Sequence, residues 1–176
     1  MQNQVLDNRL VNQVVTRIID CNNQTTLATL KKQPKMRTYC TFKTQIMMEN
    51  YLLSVKDLKT RIAVSKFKLS DHRLEIETGR YHRPKKKVND RLCSVCNAVE
   101  SEMHCLMTCK INKEDREKLF NVAAQRKPSF RFMDDKQRFE FLMQTNDKQL
   151  TFLIPNFIKK CLDNVDRMKQ ELSCPM

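Results

Sequence analysis

The sequence predicts a mainly α-helical protein, made of one or more small helical domains with a Cys/His-rich (CCHC) loop and helix in the middle. Apolar residues recur at helical spacing along most of the 176 residues. Prolines and capping residues mark boundaries between these segments, and the Cys/His cluster separates the two halves. We expect helical segments over residues 1–90, the cluster over 91–112 and further helices over 113–176.

The first part of the chain predicts three helices. The first is indicated by six apolar residues at helical spacing: Leu10, Val11, Val14, Val15, Ile18 and Ile19. A second, short helical segment over about 25–32 is closed by Pro34, because proline cannot continue a helix. Tyr39, Phe42 and Ile46 indicate the third helix.

A fourth helix is expected to begin at Ser54, which forms a capping-box pattern with Asp57. Its predicted apolar face contains Leu58, Ile62, Ala63 and Phe67. The other faces then carry four basic residues: Lys59, Arg61, Lys66 and Lys68. This helix is a candidate to face phosphate groups.

Gly79 is the only glycine in the chain. Its expected role is a left-handed backbone position that ends a helix, so that the chain leaves in a new direction at Arg80. With so little glycine, the phosphate-binding loops of nucleotide enzymes are absent.

Three helices are predicted in the last third. Asn112 is expected to cap a helix that buries Leu119, Phe120 and Ala123 and ends before Pro128. The next covers about 136–145 and buries Phe139, Leu142 and Met143. The last carries an apolar stripe from Leu150 to Met168, with a kink or turn expected at Pro155. This stripe indicates packing against the body of the protein or, alternatively, a homodimer or protein-partner interface.

Phe132-Met133-Asp134-Asp135 resembles the aspartate pair that binds metal ions in polymerases. Its flanks are charged and contain proline instead of apolar strands, so we expect the aspartates to cap the following helix. No catalytic residue is predicted, and the chain is not expected to be an enzyme.

Cys93, Cys96, His104 and Cys109 follow the pattern C-x2-C-x7-H-x4-C, which is typical of a closed four-ligand zinc site. One structural Zn²⁺ is therefore predicted. Cys105 could replace His104 in an all-cysteine set; we favour His104, with Met103, Leu106 and Met107 packing inward. The remaining cysteines, Cys21, Cys40, Cys161 and Cys174, are expected to be ordinary core or surface residues.

The N-terminus has no apolar leader segment, so we expect an intracellular, reducing location, in the nucleus or cytoplasm, instead of a disulfide scaffold. No apolar stretch reaches membrane-spanning length.

The net charge of +13 points to a polyanionic partner such as nucleic acid. Residues 56–91 hold twelve Lys or Arg against five acidic residues, a local net charge of +7. The run from Arg80 to Lys87 mixes positive charge with two rings, so it can contact phosphates and stack on an unpaired base. Alternatively, this run is a nuclear localisation signal or a solvated linker. The residues predicted to contact nucleic acid are Arg61, Lys66, Lys68, Arg73, Arg80, Tyr81, His82, Arg83, Lys85, Lys86 and Lys87.

Four ordered segments resemble the region after the polymerase in LINE-type (non-LTR) retrotransposon reverse transcriptases. They are Met36-Arg37-Thr38-Tyr39 with Phe42-Lys43-Thr44, residues 66–85, the zinc motif, and Phe141-Leu142-Met143 with residues 157–161. The resemblance implies a region that grips RNA or DNA, with the zinc knuckle as its staple. Because no polymerase segment precedes it, we expect a fragment of such an element, or a derived coding sequence, that binds without synthesis.

Some proteins of this type carry an endonuclease beside the knuckle. Here Asp71, Glu75, Glu77 and the lysines 85–87 are the nearby candidates, but Glu75 and Glu77 are two positions apart and face different sides of a helix. The expected function is therefore non-catalytic RNA or DNA binding without a small-molecule substrate. The alternative is a zinc-stapled adaptor that binds a protein through its C-terminal apolar helix.

Overall fold

The computed structural model describes residues 7–43 and 46–173. Thr44 and Cys174, noted in the sequence, lie outside these ranges. The described chain confirms a mainly α-helical fold, and its only β pairing is the isolated bridge between Leu92 and Val99. The α-helices in chain order are α1 (Asn8–Lys31), α2 (Arg37–Phe42), α3 (Asn50–Ser54), α4 (Leu58–Lys68), α5 (Glu75–Thr78), α6 (Glu102–Met107), α7 (Lys113–Arg126), α8 (Asp135–Gln144) and α9 (Lys148–Ser173).

The core is organised around α9, which packs against α3, α4, α6 and α7. Its apolar stripe is buried in this core, as the packing interpretation predicted: Leu150, Ile154, Phe157, Ile158, Cys161 and Val165. The helix runs through Pro155 without ending there. The buried residues of the stripe are therefore used for packing within the chain.

One hydrophobic core draws residues from all three predicted segments, from Phe42 through Leu106 to Val165. The segments 1–90, 91–112 and 113–176 therefore contribute to a common core. None of the helices in the described ranges is long and apolar enough to cross a membrane.

Helix boundaries set by local chemistry agree with the sequence. Asp134 caps α8 in a capping box with Gln137, as expected for this aspartate pair. Helix α7 ends at Arg126, before Pro128.

Two other boundaries differ from the prediction. The two helical segments predicted before Pro34 form one continuous helix, α1, because no residue between them breaks it. The predicted third helix ends at Phe42, so Ile46 is not part of it.

Helix α4 differs from the prediction in its start and its buried face. Asp57, not Ser54, is the N-cap, and its side chain accepts a hydrogen bond from the backbone N–H of Thr60 at 2.8 Å. Leu58 and Ile62 are exposed, whereas Val64, Phe67 and Lys68 are buried. On this face the Lys68 ammonium enters the interior and pairs there with Glu49.

Gly79 does not adopt the left-handed conformation that was predicted. Its φ of −60° lies in the right-handed helical region, where any residue fits. The glycine is required by close packing instead, because a Cβ at this position would lie 2.6 Å from Cγ of Arg91 and 2.7 Å from the carbonyl oxygen of Glu75.

Candidate metal centre and adjoining basic loop

The first two cysteines lie on a tight turn between the paired residues Leu92 and Val99. The N–H of Cys93 donates to the carbonyl of Ala98 at 2.8 Å, and the N–H of Asn97 donates back to Cys93 at 3.0 Å. Asn97 has a φ of 53°, a left-handed position that asparagine tolerates better than most residues. The turn brings the Cys93 and Cys96 thiols to the same side.

Helix α6 and the residues after it supply the other two groups. Ser101 caps α6 by accepting a hydrogen bond from the N–H of His104 at 3.2 Å. The N–H of Cys109 then donates to the carbonyl of His104 at 2.8 Å, which holds the two residues together at the end of the helix.

The ligand atoms of Cys93, Cys96, His104 and Cys109 all lie within 4.8 Å of one another. The sulfur of Cys109 is 4.0 Å from that of Cys93 and 3.9 Å from that of Cys96. Cys93, His104 and Cys109 are buried and Cys96 is half-buried. These four side chains are close enough to hold one metal ion, as the sequence predicted.

Backbone N–H groups point at all three sulfurs. The N–H of Lys110 lies 3.3 Å from the sulfur of Cys96, and further N–H groups of Val95 and Ile111 contact Cys93 and Cys109. Burial nevertheless raises the pKa of the Cys93 and Cys109 thiols, and the neighbouring sulfurs raise it further. A bound cation acts in the opposite direction, because it stabilises the thiolate form that binds metals.

His104 has one nitrogen available to a metal. Its Nδ1 is 2.9 Å from the hydroxyl of Thr108, whereas Nε2 is buried and has no hydrogen-bond partner among the described residues. Burial lowers the pKa of His104 and favours the neutral imidazole that coordinates metal ions. A hydrogen bond to the opposite nitrogen is the usual way in which a metal-binding histidine is oriented.

Cys105 does not belong to this cluster. It is 1% exposed and contacts Cys161 on α9, and its sulfur is 3.8 Å from the side-chain nitrogen of Asn112. The all-cysteine alternative is thereby excluded. Leu106 and Met107 pack inward as predicted, whereas Met103 is 37% exposed and does not.

A buried ionic network connects α6 to the helices before it. Glu102 accepts two hydrogen bonds from Arg37 at 2.8 Å, one from Ser70 at 2.7 Å, and lies 2.9 Å from Nε2 of His72. Burial acts to raise the pKa of Glu102, but His72 and Arg37 hold it well below its usual range. Arg37 also binds Glu77 at 2.7 Å, so it bridges α5 and α6. Sequence reasoning missed this network because its members are far apart along the chain.

A second network ties the basic loop, residues 80–87, to the body. Glu75 lies 3.1 Å from the Lys86 ammonium and 3.4 Å from that of Lys169 on α9. Glu100, which is 2% exposed, accepts a hydrogen bond from the N–H of Glu75 and pairs with Lys169 at 2.8 Å. The buried Arg91 donates to the carbonyls of Ile76 and Lys86 and so fixes the end of the loop.

The predicted nucleic-acid residues of the loop fall into two groups. Arg80 pairs with Glu77 and Lys86 with Glu75, and His82 lies 3.8 Å from Glu75. The exposed group comprises Tyr81, Arg83, Lys85 and Lys87. Tyr81 is 70% exposed.

The remaining predicted contacts lie on α4 and in the loop before α5. Lys66 and Arg73 are exposed and line a groove of about 410 Å³ between α4 and α9, and Arg61 is half-buried. Lys68 was wrongly included, because it is 6% exposed and is bound by Glu49 and the carbonyl of Met143.

Comparison of the chain with protein-family models, with curated proteins and with solved structures finds no match. The LINE-type resemblance thus stays an expectation from the four segments that carry it. The function proposed below is therefore argued from the arrangement of the metal centre and the basic loop.

Proposed function

We propose that the chain is a non-catalytic, zinc-stabilised protein that binds RNA or DNA and is related to the C-terminal region of a retrotransposon reverse transcriptase. The observation that carries the proposal is the basic loop. Arg83, Lys85 and Lys87 are exposed and have no carboxylate partner among the described residues, while Lys86 beside them is anchored to Glu75.

Zinc is the metal that suits the donor set best. A tetrahedral Zn²⁺ with Zn–S bonds of about 2.3 Å separates its sulfur ligands by about 3.8 Å. The sulfur separations of 3.9 and 4.0 Å are close to this value. Three thiolates and one imidazole fill the coordination shell, which supports a structural role for the ion.

The loop combines charge with a surface for stacking. Its free cations suit phosphate groups, which dominate the affinity of most nucleic-acid-binding proteins. Tyr81 offers an exposed ring on which an unpaired base can stack, at a gain of about 1–3 kcal/mol. Lys66 and Arg73 extend the positive surface toward the groove between α4 and α9.

The metal centre acts in this proposal as a support for the loop. Its acidic residues, Glu100 and Glu102, are buried and paired, so they neither attract nor repel a strand at the surface. The adaptor alternative has less support, because the buried residues of the stripe on α9 pack within the core.

The test is salt-dependent binding. The purified protein is assayed for zinc by elemental analysis and titrated with single-stranded RNA and duplex DNA over a range of salt concentrations. We expect one zinc per chain. The triple variant Arg83→Ala/Lys85→Ala/Lys87→Ala should reduce the magnitude of the slope of log K against log salt by about 2–3, since each phosphate contact contributes about 0.7–0.9.

The matched control removes three exposed cations elsewhere, in the variant Lys118→Ala/Lys136→Ala/Lys148→Ala. It makes the same change in net charge on α7, α8 and α9. Equal effects of the two variants would show that the loop is not the contact surface. The absence of measurable binding to either RNA or DNA at low salt would refute the proposed function.

A further inference from the structure

Helix α1 projects beyond the body of the protein. Every residue from 7 to 22 is exposed, and no residue of α1 is buried. Only the C-terminal half of the helix approaches the body, where it packs against α2 and the turn at Pro34–Met36. Four side chains on this inner side are partly covered: Asn23, Thr26, Leu27 and Leu30.

The projecting part is apolar in spite of its exposure. Its six large apolar residues are between 39% and 62% exposed: Leu10, Val11, Val14, Val15, Ile18 and Ile19. Five of them are β-branched, a class with reduced helix propensity. Isolated helices of fewer than about 12–15 residues are marginal in water even with the best helix formers. A surface that covers this segment would therefore stabilise its helical state.

The apolar residues form a regular seam. Val11, Val14, Ile18 and Cys21 alternate steps of three and four residues, and Thr25 and Ala28 continue the same spacing. This is the a/d pattern of a two-stranded coiled coil. At about 100° per residue, the seam lies on the side of the helix opposite the residues that contact the body. It is thus free for a partner along its full length.

We propose that the seam pairs with α1 of a second copy of this chain, as a parallel coiled coil. A seam that repeats a and d positions is complementary to itself, and β-branched residues at a favour two strands. In the parallel register the flanking pairs are Leu10 with Val15, Arg17 with Asn22, and Gln24 with Thr29. No pair brings like charges together, and the first adds apolar contact.

The available area suits a homodimer. Half-exposed Leu, Val and Ile side chains each offer on the order of 80 Å², so with Cys21, Thr25 and Ala28 each copy contributes about 600 Å². The pair then exceeds the roughly 1,000 Å² that a specific interface needs. A dimer would also carry two basic loops, and two linked sites bind one strand more tightly than one.

The test is the mass of the nuclease-treated protein by sedimentation or light scattering, across a hundredfold range of concentration. We expect a dimer for the unaltered chain and a monomer for Val14→Glu/Ile18→Glu, which places charges in the seam. The control, Gln13→Glu/Thr16→Glu, adds the same charge at outward c and f positions and should remain dimeric. Because no α1 residue is buried, neither variant should disturb the core. An unchanged metal content and an unchanged melting temperature will show that both variants fold.

A monomer at all concentrations, or equal behaviour of the two variants, would overturn the proposal. The parallel orientation is tested separately with diamide, which oxidises two adjacent thiols to a disulfide and is itself reduced to the hydrazine. Parallel pairing places Cys21 beside Cys21 of the second copy, so we expect a covalent dimer that is lost in Cys21→Ser. A dimer that does not cross-link contradicts this orientation.

Discussion

Gly79→Ala should destabilise the protein, although the same change in a right-handed helical residue ordinarily stabilises by about 0.5–1 kcal/mol. The added Cβ would lie 2.6 and 2.8 Å from Cγ and Cδ of Arg91 and 2.7 Å from the carbonyl oxygen of Glu75. Ordinary carbon contacts are about 3.5–4.0 Å, so one group must move by roughly 1 Å.

Neither neighbour of Gly79 can move cheaply. The oxygen of Glu75 belongs to the backbone of α5. The Arg91 side chain is buried, and its guanidinium is fixed by the carbonyls of Ile76 at 2.7 Å and Lys86 at 3.0 Å. Overpacking of this kind costs about 1–3 kcal/mol. With a denaturation slope of about 2 kcal/mol per M of urea, the midpoint should fall by about 0.5–1.5 M.

The assay is urea unfolding of the four proteins in a double-mutant cycle of Gly79→Ala and Arg91→Ala. If the clash with Arg91 contributes, the cost of Gly79→Ala should fall by about 1 kcal/mol or more once the arginine side chain is removed. Nucleic-acid affinity should decrease with Gly79→Ala as well, because Arg91 fixes the end of the basic loop. A stabilised Gly79→Ala variant would refute the packing explanation, and additive effects in the cycle would refute the part assigned to Arg91.

Three further perturbations test the metal centre and the buried ion pairs. The melting temperature should fall when a chelator removes the metal or in His104→Ala, and nucleic-acid binding should weaken as a consequence. The control Cys105→Ala should keep one metal per chain, as measured by elemental analysis. Glu102→Gln should cost about 1.5–3 kcal/mol in urea unfolding, because it weakens the charged hydrogen bonds of the buried carboxylate while Arg37 keeps its ion pair with Glu77; an effect below about 1 kcal/mol would contradict the network. Burial acts to raise the pKa of Glu49, but hydrogen bonds from lysines lower it below its usual range. The contribution of Glu49 to stability is therefore present above about pH 4.5 and is lost as the pH falls. Glu49→Gln should therefore flatten the decrease in unfolding free energy below that pH.

The features that were predicted correctly depend on residues close together in the chain. The four metal ligands span 17 positions and are brought together by one turn and one short helix. The cap of α8 is likewise a contact between Asp134 and Gln137, three residues apart. Such patterns reflect local geometry, which the sequence displays directly.

The features that were missed depend on contacts between distant residues. The buried Lys68 pairs with Glu49, 19 positions earlier, on a face of α4 that the apolar pattern did not predict to be buried. Arg37 meets Glu102 across 65 positions. Gly79 was expected to end a helix in a left-handed conformation, because its close packing against Arg91 cannot be inferred from the sequence. Periodicity predicts which residues form a helix but not which charged groups pair inside the fold.

The buried acids near the loop pair with cations of the body, apart from the exposed cations of the loop. Three acidic residues near the loop are nearly inaccessible, since Glu77 is 3% exposed and Glu100 and Glu102 are each 2% exposed. Their charges are used to bind Arg37, Arg80 and Lys169 inside or at the edge of the body. The fold thus separates the cations that position the loop from those that face solvent.

This separation predicts the effect of Glu75→Gln on binding. The change adds one positive charge beside the loop, so charge alone would strengthen nucleic-acid binding. It also releases Lys86, which Glu75 holds at 3.1 Å, and the loop must then be ordered upon binding. The control is Glu117→Gln, which makes the same charge change at an exposed site on α7. Ordering a side chain costs about 0.5–1.5 kcal/mol, so we expect Glu75→Gln to bind with an affinity about 2–10-fold lower than the control. Fluorescence anisotropy with a single-stranded oligonucleotide measures the difference. Tighter binding by Glu75→Gln than by Glu117→Gln would mean that the charge of the loop matters and its positioning does not.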